Sequence, residues 1–462
     1  MSPTDSAAGT KAVRQANSGA SLAAPEELAG SYVNTSAVTQ SDAVVVPIHP
    51  GVDRPLNICI TGYRSAPFGG GQGIYIKYLS KALVDAGHTV DVISGQPYPH
   101  VDPRVRLIKM PGLDLFANGL LSLRPRHLTS LTNILEWLSK LTGGFAEPYC
   151  FSRRVAKYLA QHGDRYDVVH DNQCLGWGML ELQERGMNFL TTIHHPVTSD
   201  LEIAIGASKN WWQRLLIRRW HWFLRMQKRV ASQLDHVVTV SDRSRKDIAE
   251  AFDLRAEHIH LVYNGIDTDE FRPMPEVEKN PYQIMATASA DQPLKGLRYL
   301  LLAVAKLVKR YPQLQLVLVG KPKPGGYTER LVRRLKLRSH ITFVSNVSTE
   351  QLVRYYAESQ IAVVPSLYEG FGLPAGEAMA CAVPVVSTDG GALPEVVGDA
   401  GVVVPTADAD ALATAISSLL DDNTLRAHYG SAGRKRIEEK FCWRLAAQQM
   451  TALYCGVMDA NR

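Results

Sequence analysis

The chain has 462 residues, of which 45% are hydrophobic and 21% charged, and these proportions are those of a globular protein with room for two domains. Its net charge of +5 is modest for this length, and no lysine- and arginine-rich run with interleaved aromatic residues occurs, so we expect no nucleic-acid partner. The six cysteines form no CxxC pair, so we expect neither a zinc site nor disulfides, and a reducing cytoplasm as the compartment. No run of eighteen apolar residues occurs, so we expect no conventional transmembrane helix.

The N-terminal segment, residues 1–54, is rich in alanine, serine, threonine, proline and glycine. It has no apolar core of the kind found in signal peptides, and it shows no steady hydrophobic period. We therefore predict a disordered tail.

Short apolar runs then alternate with longer amphipathic stretches, which is the pattern of βα units in a parallel sheet. Five runs predict strands of a first domain: residues 56–62, 89–94, 166–170, 188–195 and 236–241. We assign this N-terminal Rossmann-like domain, expected to hold the acceptor, to residues 55–265.

Residues 203–234 contain seven lysines and arginines and no acidic residue, and tryptophan is frequent among them. Basic and apolar positions recur at helical spacing on two different faces, so the segment predicts a basic amphipathic helix. Such a helix docks on an anionic membrane surface, or it packs on its own sheet and exposes a basic face; the sequence leaves both open. The candidate membrane or acceptor patch comprises Trp211, Trp212, Arg214, Arg218, Arg219 and Arg225.

A proline-rich, acidic stretch at residues 264–281 predicts a linker. Six further apolar runs predict the strands of a C-terminal Rossmann-like donor domain, residues 266–440: 283–289, 314–320, 341–345, 361–365, 383–388 and 401–405. We expect the last segment, residues 441–462, to be a helix that crosses back to the N-terminal domain. The predicted fold class is therefore α/β, with two doubly wound domains that face a central cleft.

The stretch SLYEGFGLPAGEAMA, residues 366–380, carries two glutamates around a glycine-rich turn. In one continuous helix they would lie about 12 Å apart along the axis, but Gly370, Gly372 and Pro374 favour a loop followed by a helix. Unpaired N–H groups at that helix start would suit a phosphate, and Glu369 and Glu377 would accept hydrogen bonds from hydroxyls on either side. The spacing predicts a ligand that is anionic in its middle and hydroxylated at both ends.

Several motifs occur in order over residues 56 to about 460: PFGGGQGIY, TTIHH, VTVSDRSRKDI, VYNGID, PLKG, LVLVGKP, and YEGFGLPAGEAMACAVPVV followed by GGALPEVVGDAGVVVP. With these motifs the chain resembles the retaining family 4 glycosyltransferases, or glycosyl transferases group 1, of the GT-B fold. The resemblance implies that His194 contacts the transferring sugar, with His195 as its uncertain neighbour, that Lys295 pairs with the donor diphosphate, and that Glu369 contacts the sugar. Implied donor-binding residues are Gly70, Gly71, Gly320, Gly370, Phe371, Gly372, Leu373 and Glu377.

A purely structural role remains open for several of these residues. His194 would then simply end a strand, Lys295 would be an exposed lysine at a helix start, and Gly70 and Gly71 would form a tight turn between a strand and a helix. One departure from the family is clear, because Ala290 stands where relatives usually carry an arginine five residues before the motif lysine. Lys321 or Lys323 would be the substitute, or the donor phosphates would be placed differently.

The resemblance implies an enzyme, a hexosyltransferase that moves a hexose from a nucleotide diphosphate sugar to an acceptor hydroxyl with retention at the anomeric carbon. We expect neither a cofactor nor a metal, although DTD at 267–269 and DAD at 408–410 match a minimal metal motif. The acceptor is a lipid or lipid-linked alcohol at the cytoplasmic face of a membrane, or a soluble phosphorylated metabolite. The alternative from a different functional class is a non-catalytic protein that binds nucleotide sugars.

Overall fold

The computed structural model describes residues 54–461 except 68–70, 121–122, 128–129, 197, 199–200, 202–204, 207, 209 and 289–290. Gly70, Ala290 and the predicted tail as far as residue 53 therefore lie outside the described residues. None of the described helices is both long and apolar enough to cross a membrane.

The first half of the chain forms a parallel sheet of seven strands in the order β3-β2-β1-β4-β5-β6-β7. Its strands are β1 (Asn57–Gly62), β2 (Thr89–Ser94), β3 (Arg106–Lys109), β4 (Val168–Asn172), β5 (Phe189–Ile193), β6 (Val237–Thr239) and β7 (Ile259–Leu261). The five predicted strands are the five inner ones. The prediction missed the edge strands β3 and β7 because their sequences, RLIK and IHL, are short and contain charged or polar residues, so they form no continuous apolar run.

The second half forms a parallel sheet of six strands in the order β10-β9-β8-β11-β12-β13. The strands are β8 (Gln283–Thr287), β9 (Gln315–Val319), β10 (Ile341–Val344), β11 (Ile361–Val364), β12 (Val385–Thr388) and β13 (Val402–Val404). All six were predicted. In both sheets the strand order reverses beside the first strand, between β1 and β4 and between β8 and β11, so each sheet has a switch point where ligands bind.

Helices cover both faces of the two sheets. Those with described bounds are α1 (Gly71–Asp85), α2 (Leu115–Asn118), α3 (Leu131–Leu141), α4 (Glu147–His162), α5 (Trp177–Glu184), α6 (Trp211–Trp220), α7 (Leu224–Ala231), α8 (Asp242–Phe252), α9 (Leu297–Leu307), α10 (Tyr327–Arg334), α11 (Thr349–Glu358), α12 (Leu373–Ala380), α13 (Leu393–Val397), α14 (Ala409–Asp421), α15 (Asn423–Lys440) and α16 (Trp443–Ala460). Inner strands such as β4 and β5 are buried along their whole length, as expected of a parallel sheet covered on both faces.

The last helix, α16, packs on α1 of the first half. The Trp443 ring stacks on Tyr78 at 5.9 Å between centroids, and the Tyr454 hydroxyl lies 2.7 Å from Nδ1 of His170 under the first sheet. The start of the linker is fixed there too, because Ile266 forms a parallel bridge with Cys442. The chain thus crosses between the halves twice at one place.

The basic segment does not form the single amphipathic helix predicted for it. A 3-10 turn at His221–Phe223 separates α6 from α7, and the two helices differ in environment. On α7, Val230 is buried in the core of the first half, whereas Trp211 and Trp212 of α6 are 69% and 58% exposed. The difference arises because α7 packs on α5 and α8, whereas no residue of α6 is buried within the described part of the chain. Of the patch arginines, Arg214, Arg218 and Arg225 are exposed, and Arg219 is half-buried against Thr142.

Candidate active site

The predicted loop and helix start follow β11 as the sequence indicated. Gly372 precedes the first residue of α12 with φ of +105°, a conformation that favours glycine. Within the described residues, no acceptor pairs with the backbone N–H groups of Phe371, Gly372 or Leu373. These donors point out of the helix start, where the dipole is positive, so an anion would be stabilised there. The Phe371 side chain packs against Phe441, which leaves only its N–H group for a ligand.

Lys295 and Glu369 lie together at the ends of neighbouring strands. The Lys295 Nζ is 2.7 Å from Oε1 of Glu369, and the Ser366 hydroxyl donates to the same oxygen at 2.7 Å. The approach requires glycine after the lysine, because a Cβ on Gly296 would lie 1.7 Å from the carbonyl oxygen of Pro365. One cation and one acid of the predicted site therefore pair with each other in the structure.

Glu377 lies one turn into α12 and is half-buried. Burial raises the pKa of Glu377 to about 7; the hydrogen bond from Tyr356 at 3.4 Å lowers it in part, and the charge of Glu270 adds a smaller rise. The surrounding side chains therefore compensate the negative charge of this carboxyl group poorly. A ligand that donates hydrogen bonds to it would stabilise the ionised form.

His194 follows β5 and is buried, with 9% of its surface exposed. Its Nε2 lies 2.6 Å from Oδ1 of Asn172, and its backbone N–H donates to Oε1 of Gln173 at 2.8 Å. Burial, with smaller effects of the neighbouring histidines, lowers the pKa of His194 to about 3. The ring is therefore neutral, and the amide oxygen of Asn172 fixes the proton on Nε2 so that Nδ1 is the acceptor.

The prediction missed Asn172 and Gln173. Both come directly at the end of β4, the strand beside the one that carries His194. That position, a polar DNQ triplet at the carboxyl end of a buried strand, was the signal that could have found them.

The glycine residues predicted to bind the donor are placed at two other strand ends. Gly71 is exposed and begins α1, and a Cβ on the nearby Gly73 would lie 2.1 Å from the carbonyl oxygen of Ala66, so the helix start packs closely on the loop before it. Gly320 ends β9, where its N–H bonds to the carbonyl of Val344 at 2.8 Å. Beyond it, Lys321 and Lys323 are exposed.

The two halves of the chain touch at the loop between Glu369 and α12. The carbonyl oxygen of Gly370 accepts hydrogen bonds from the hydroxyls of Ser241 and Ser244 at 2.6 and 3.0 Å. A Cβ on Gly370 would lie 2.9 Å from the carbonyl oxygen of His194. Thus the loop between Glu369 and α12 lies directly against the strand end that carries His194.

Glu395 makes a second contact between the halves. Its two carboxylate oxygens accept the backbone N–H groups of Asp242 and Arg243 at 2.8 and 2.7 Å, which caps the start of α8. We name this contact the Glu395 cap. The sequence motifs VTVSDRSRKDI and GGALPEVV contain both partners, but nothing in either motif indicated that they meet.

The two acidic motifs cap backbone groups. Asp267 accepts the N–H groups of Asp269 and Glu270, each at 3.0 Å. Asp408 caps α14 by accepting from Asp410 and Ala411. Among the described residues no three or more histidine, cysteine or acidic side chains are grouped as ligands for a metal ion.

Comparison with known proteins gives concordant results. Residues 69–270 match the family described as Glycosyltransferase Family 4, and residues 268–436 match the family described as Glycosyl transferases group 1. The chain is 44% identical over 406 residues to the MMP alpha-(1->4)-mannosyltransferase of Mycolicibacterium hassiacum, covering 86% of this chain and 98% of that protein.

A second relative and a solved structure extend the likeness. The GDP-mannose-dependent alpha-(1-6)-phosphatidylinositol monomannoside mannosyltransferase of Mycolicibacterium smegmatis is 31% identical over 255 residues, which is 51% of this chain and 66% of that protein. Sucrose-phosphate synthase from Thermosynechococcus elongatus superimposes with a TM-score of 0.65 at 26% identity, covering 88% of this chain and all of that one.

Proposed function

The chain belongs to glycosyltransferase family 4 and is a retaining hexosyltransferase of the GT-B fold that takes its hexose from a nucleotide sugar, and we propose that this hexose is mannose. Two relatives are named for mannosyl transfer, one of them at 44% identity over nearly its whole length. The second is named for its use of GDP-mannose, so GDP-mannose is the proposed donor.

The acceptor that we propose is a sugar. The name of the first relative specifies an α-(1→4) linkage, and a 1→4 linkage is made to the hydroxyl on carbon 4 of a sugar ring. The new bond then joins mannose to a ring hydroxyl, and the donor is the only co-substrate that the reaction needs.

One observation carries the assignment of roles. The loop between the Lys295–Glu369 pair and the unpaired N–H groups at the start of α12 lies against the strand end of His194. The diphosphate would lie at the N–H groups and beside Lys295, and exposed Lys321 and Lys323 would supply the second cation that Ala290 does not provide. Glu377 would receive the ribose hydroxyls, while Glu369 and Nδ1 of His194 would receive hydroxyls of the mannose ring.

In this arrangement catalysis depends on charge stabilisation and positioning. The bond between the anomeric carbon and the phosphate oxygen breaks while the N–H groups and Lys295 stabilise the negative charge on the departing diphosphate. The acceptor oxygen bonds to the same face of the anomeric carbon, which gives retention, and its proton passes to the departing phosphate. Neutral His194 orients the sugar and gives up no proton.

We also propose that the enzyme works at a membrane surface on a lipid-linked sugar. Four leucines of α3 and the apolar side of α6 are exposed, and Trp222 follows them. We call this the leucine–tryptophan face, comprising Leu131, Leu135, Leu138, Leu141, Trp211, Trp212, Leu215, Leu216 and Trp222, all between 44% and 79% exposed.

The two helices of this face are joined, because Arg219 donates to the Thr142 hydroxyl at 2.7 Å and Trp220 stacks on Phe145 at 4.9 Å. Exposed Arg214 and Arg218 lie on the same helix as the tryptophans. A large apolar surface beside cations suits anionic lipid headgroups.

The proposed reaction is tested with the purified chain, GDP-mannose and α-(1→4)-linked mannobiose. We expect GDP-mannose to raise the melting temperature and labelled mannose to appear in trisaccharide, with Lys295→Ala and Glu369→Gln each lowering the transfer rate at least 100-fold. The control is Lys309→Ala, a substitution in the turn after α9. Stabilisation by UDP-glucose and not by GDP-mannose, or full activity of both site variants, would overturn the proposal.

A further inference from the structure

A recess lies in the first half at the carboxyl ends of β1, β2 and β3. Tyr63 follows β1, Gln96 follows β2, and Glu136 of α3 and Glu147 of α4 close its sides. Ligands of open parallel sheets bind at this edge. The recess is a different place from the donor site, whose ligands come mainly from the second half.

The recess is nevertheless connected to His194 by a short chain of contacts. The Tyr63 hydroxyl interacts with the Gln72 side chain in the first turn of α1. The carbonyl oxygen of Gln72 accepts the Asn172 amide at 3.1 Å, and Asn172 holds His194. Tyr63, Gln72 and Asn172 therefore link the recess to His194, the residue proposed to contact the transferring sugar.

The two glutamates of the recess differ in what surrounds them. Each oxygen of Glu136 accepts a hydrogen bond, one from the Leu113 N–H at 3.0 Å and the other from the Arg154 guanidinium at 2.5 Å. Glu147 has one contact within the described residues, to Arg64 at a long 3.4 Å. Its side chain is only 18% exposed. Burial outweighs the attraction of Arg64 and, together with the charges of Glu136 and Asp114, raises the pKa of Glu147 to about 7.

The space beside Glu147 is small. Its cavity volume is about 20 Å³, which is room for about one water molecule or one hydroxyl group. A carboxylate accepts up to four hydrogen bonds and a guanidinium donates five, so a hydroxyl in this recess could donate to Glu147. A whole sugar ring would remain outside it, against the mouth.

We propose that Glu147, together with Arg64, holds one ring hydroxyl of the acceptor sugar and so determines which acceptors are used, an inference that rests on the proposed function. The Glu136–Arg154 pair forms the fixed wall of this subsite. Tyr63 also contacts Phe145, which stacks on Trp220 next to the leucine–tryptophan face. The apolar part of a lipid-linked acceptor would therefore lie on that face while its sugar reaches the recess.

The test compares Glu147→Gln and Glu147→Ala with the wild type at saturating GDP-mannose. The acceptors are α-(1→4)-mannobiose and its analogues that lack one hydroxyl each. We expect the alanine variant to raise the acceptor KM 10- to 100-fold, and the glutamine variant less, because an amide oxygen still accepts one hydrogen bond. Hydrolysis of GDP-mannose by water and the donor-induced rise in melting temperature should stay within twofold of the wild type. Glu181→Gln, on α5 in the same half, is the matched control.

The analogues give the decisive readout. One particular deoxy analogue should bind the wild type at least tenfold more weakly than mannobiose, whereas Glu147→Ala should treat the two alike. An alanine variant with wild-type acceptor KM and the same preference among the analogues would overturn the proposal. A wild type that ignores GDP-mannose would instead contradict the proposed donor, and the same comparison would then use the nucleotide sugar that stabilises the chain.

Discussion

Single residues of the donor site are held in states that a ligand must change. Glu377 is the clearest case, because its raised pKa means that the empty protein keeps this carboxyl partly protonated near neutral pH. In the role proposed for Glu377, a ribose diol donates to the ionised form, so donor binding would release a proton. Donor affinity should then fall as the pH drops below about 7.

We predict that Glu377→Gln stabilises the empty protein above pH 7 and abolishes donor-induced stabilisation. The folded pKa of about 7 lies above the ordinary glutamate pKa of 4.5, so the stability due to the protonated form is fully present below pH 4.5 and is lost as the pH rises through 7. A permanently neutral amide avoids that loss, worth roughly 3 kcal/mol for such a shift.

Urea unfolding of wild type and variant at pH 4.5 and pH 8 measures this difference in the free energy of unfolding. Exposed Glu350→Gln is the control and should change neither value by more than about 0.5 kcal/mol. Equal stability of Glu377→Gln and wild type at pH 8 would contradict the raised pKa.

At the scale of elements, the Glu395 cap joins a helix of the second half to the start of a helix of the first. Glu395→Ala removes both acceptors from the first turn of α8. Loss of a helix cap costs about 1 kcal/mol, and here the lost contact also held the two halves together. We predict that the variant hydrolyses more GDP-mannose per transfer than the wild type, because a less closed cleft admits water.

The ratio of free mannose to trisaccharide, measured over time, tests this prediction. Ser348→Ala is a matched control, since Ser348 caps α11 through a capping box that lies wholly within the second half. It should lower stability by a similar amount and leave the ratio unchanged. If both variants shift the ratio equally, the effect is one of stability and not of closure.

The sequence predicted the inner strands of both sheets and the helix start after β11, because these depend on local hydrophobic runs and on glycine and proline at fixed places. It could not predict β3 and β7, whose short polar edges carry little signal. It joined α6 and α7 into one helix, since periodicity does not show which side of a helix another element will cover. The Glu395 cap and the Glu147 recess combine segments far apart in the chain, and only their assembly brings these together.

At the scale of the whole molecule, the proposed membrane contact through the leucine–tryptophan face would give the enzyme a preferred orientation on a bilayer. We predict that it sediments with vesicles containing phosphatidylglycerol at low salt, and that added salt weakens the binding because arginines contribute. The double variant Trp212→Ser, Leu216→Ser should bind at least tenfold more weakly. Trp177→Ser is the control, because Trp177 is also exposed, at 38%, but lies outside this face.

Failure of the wild type to sediment with these vesicles at low salt would rule out the membrane contact. Equal loss of binding in Trp177→Ser and in the double variant would show that the association is not specific to this face. Neither result would affect hexosyl transfer itself, which is measured with a free acceptor.

The contact between Lys295 and Glu369 has a consequence for turnover. In the roles proposed here, the donor separates the two groups by offering phosphate to one and sugar hydroxyls to the other. Once the hexose has moved away, Glu369 is again available to Lys295 and competes with the spent nucleotide for it. We therefore expect GDP alone to bind more weakly than GDP-mannose. Re-forming the internal ion pair would then speed the release of GDP before the next donor binds.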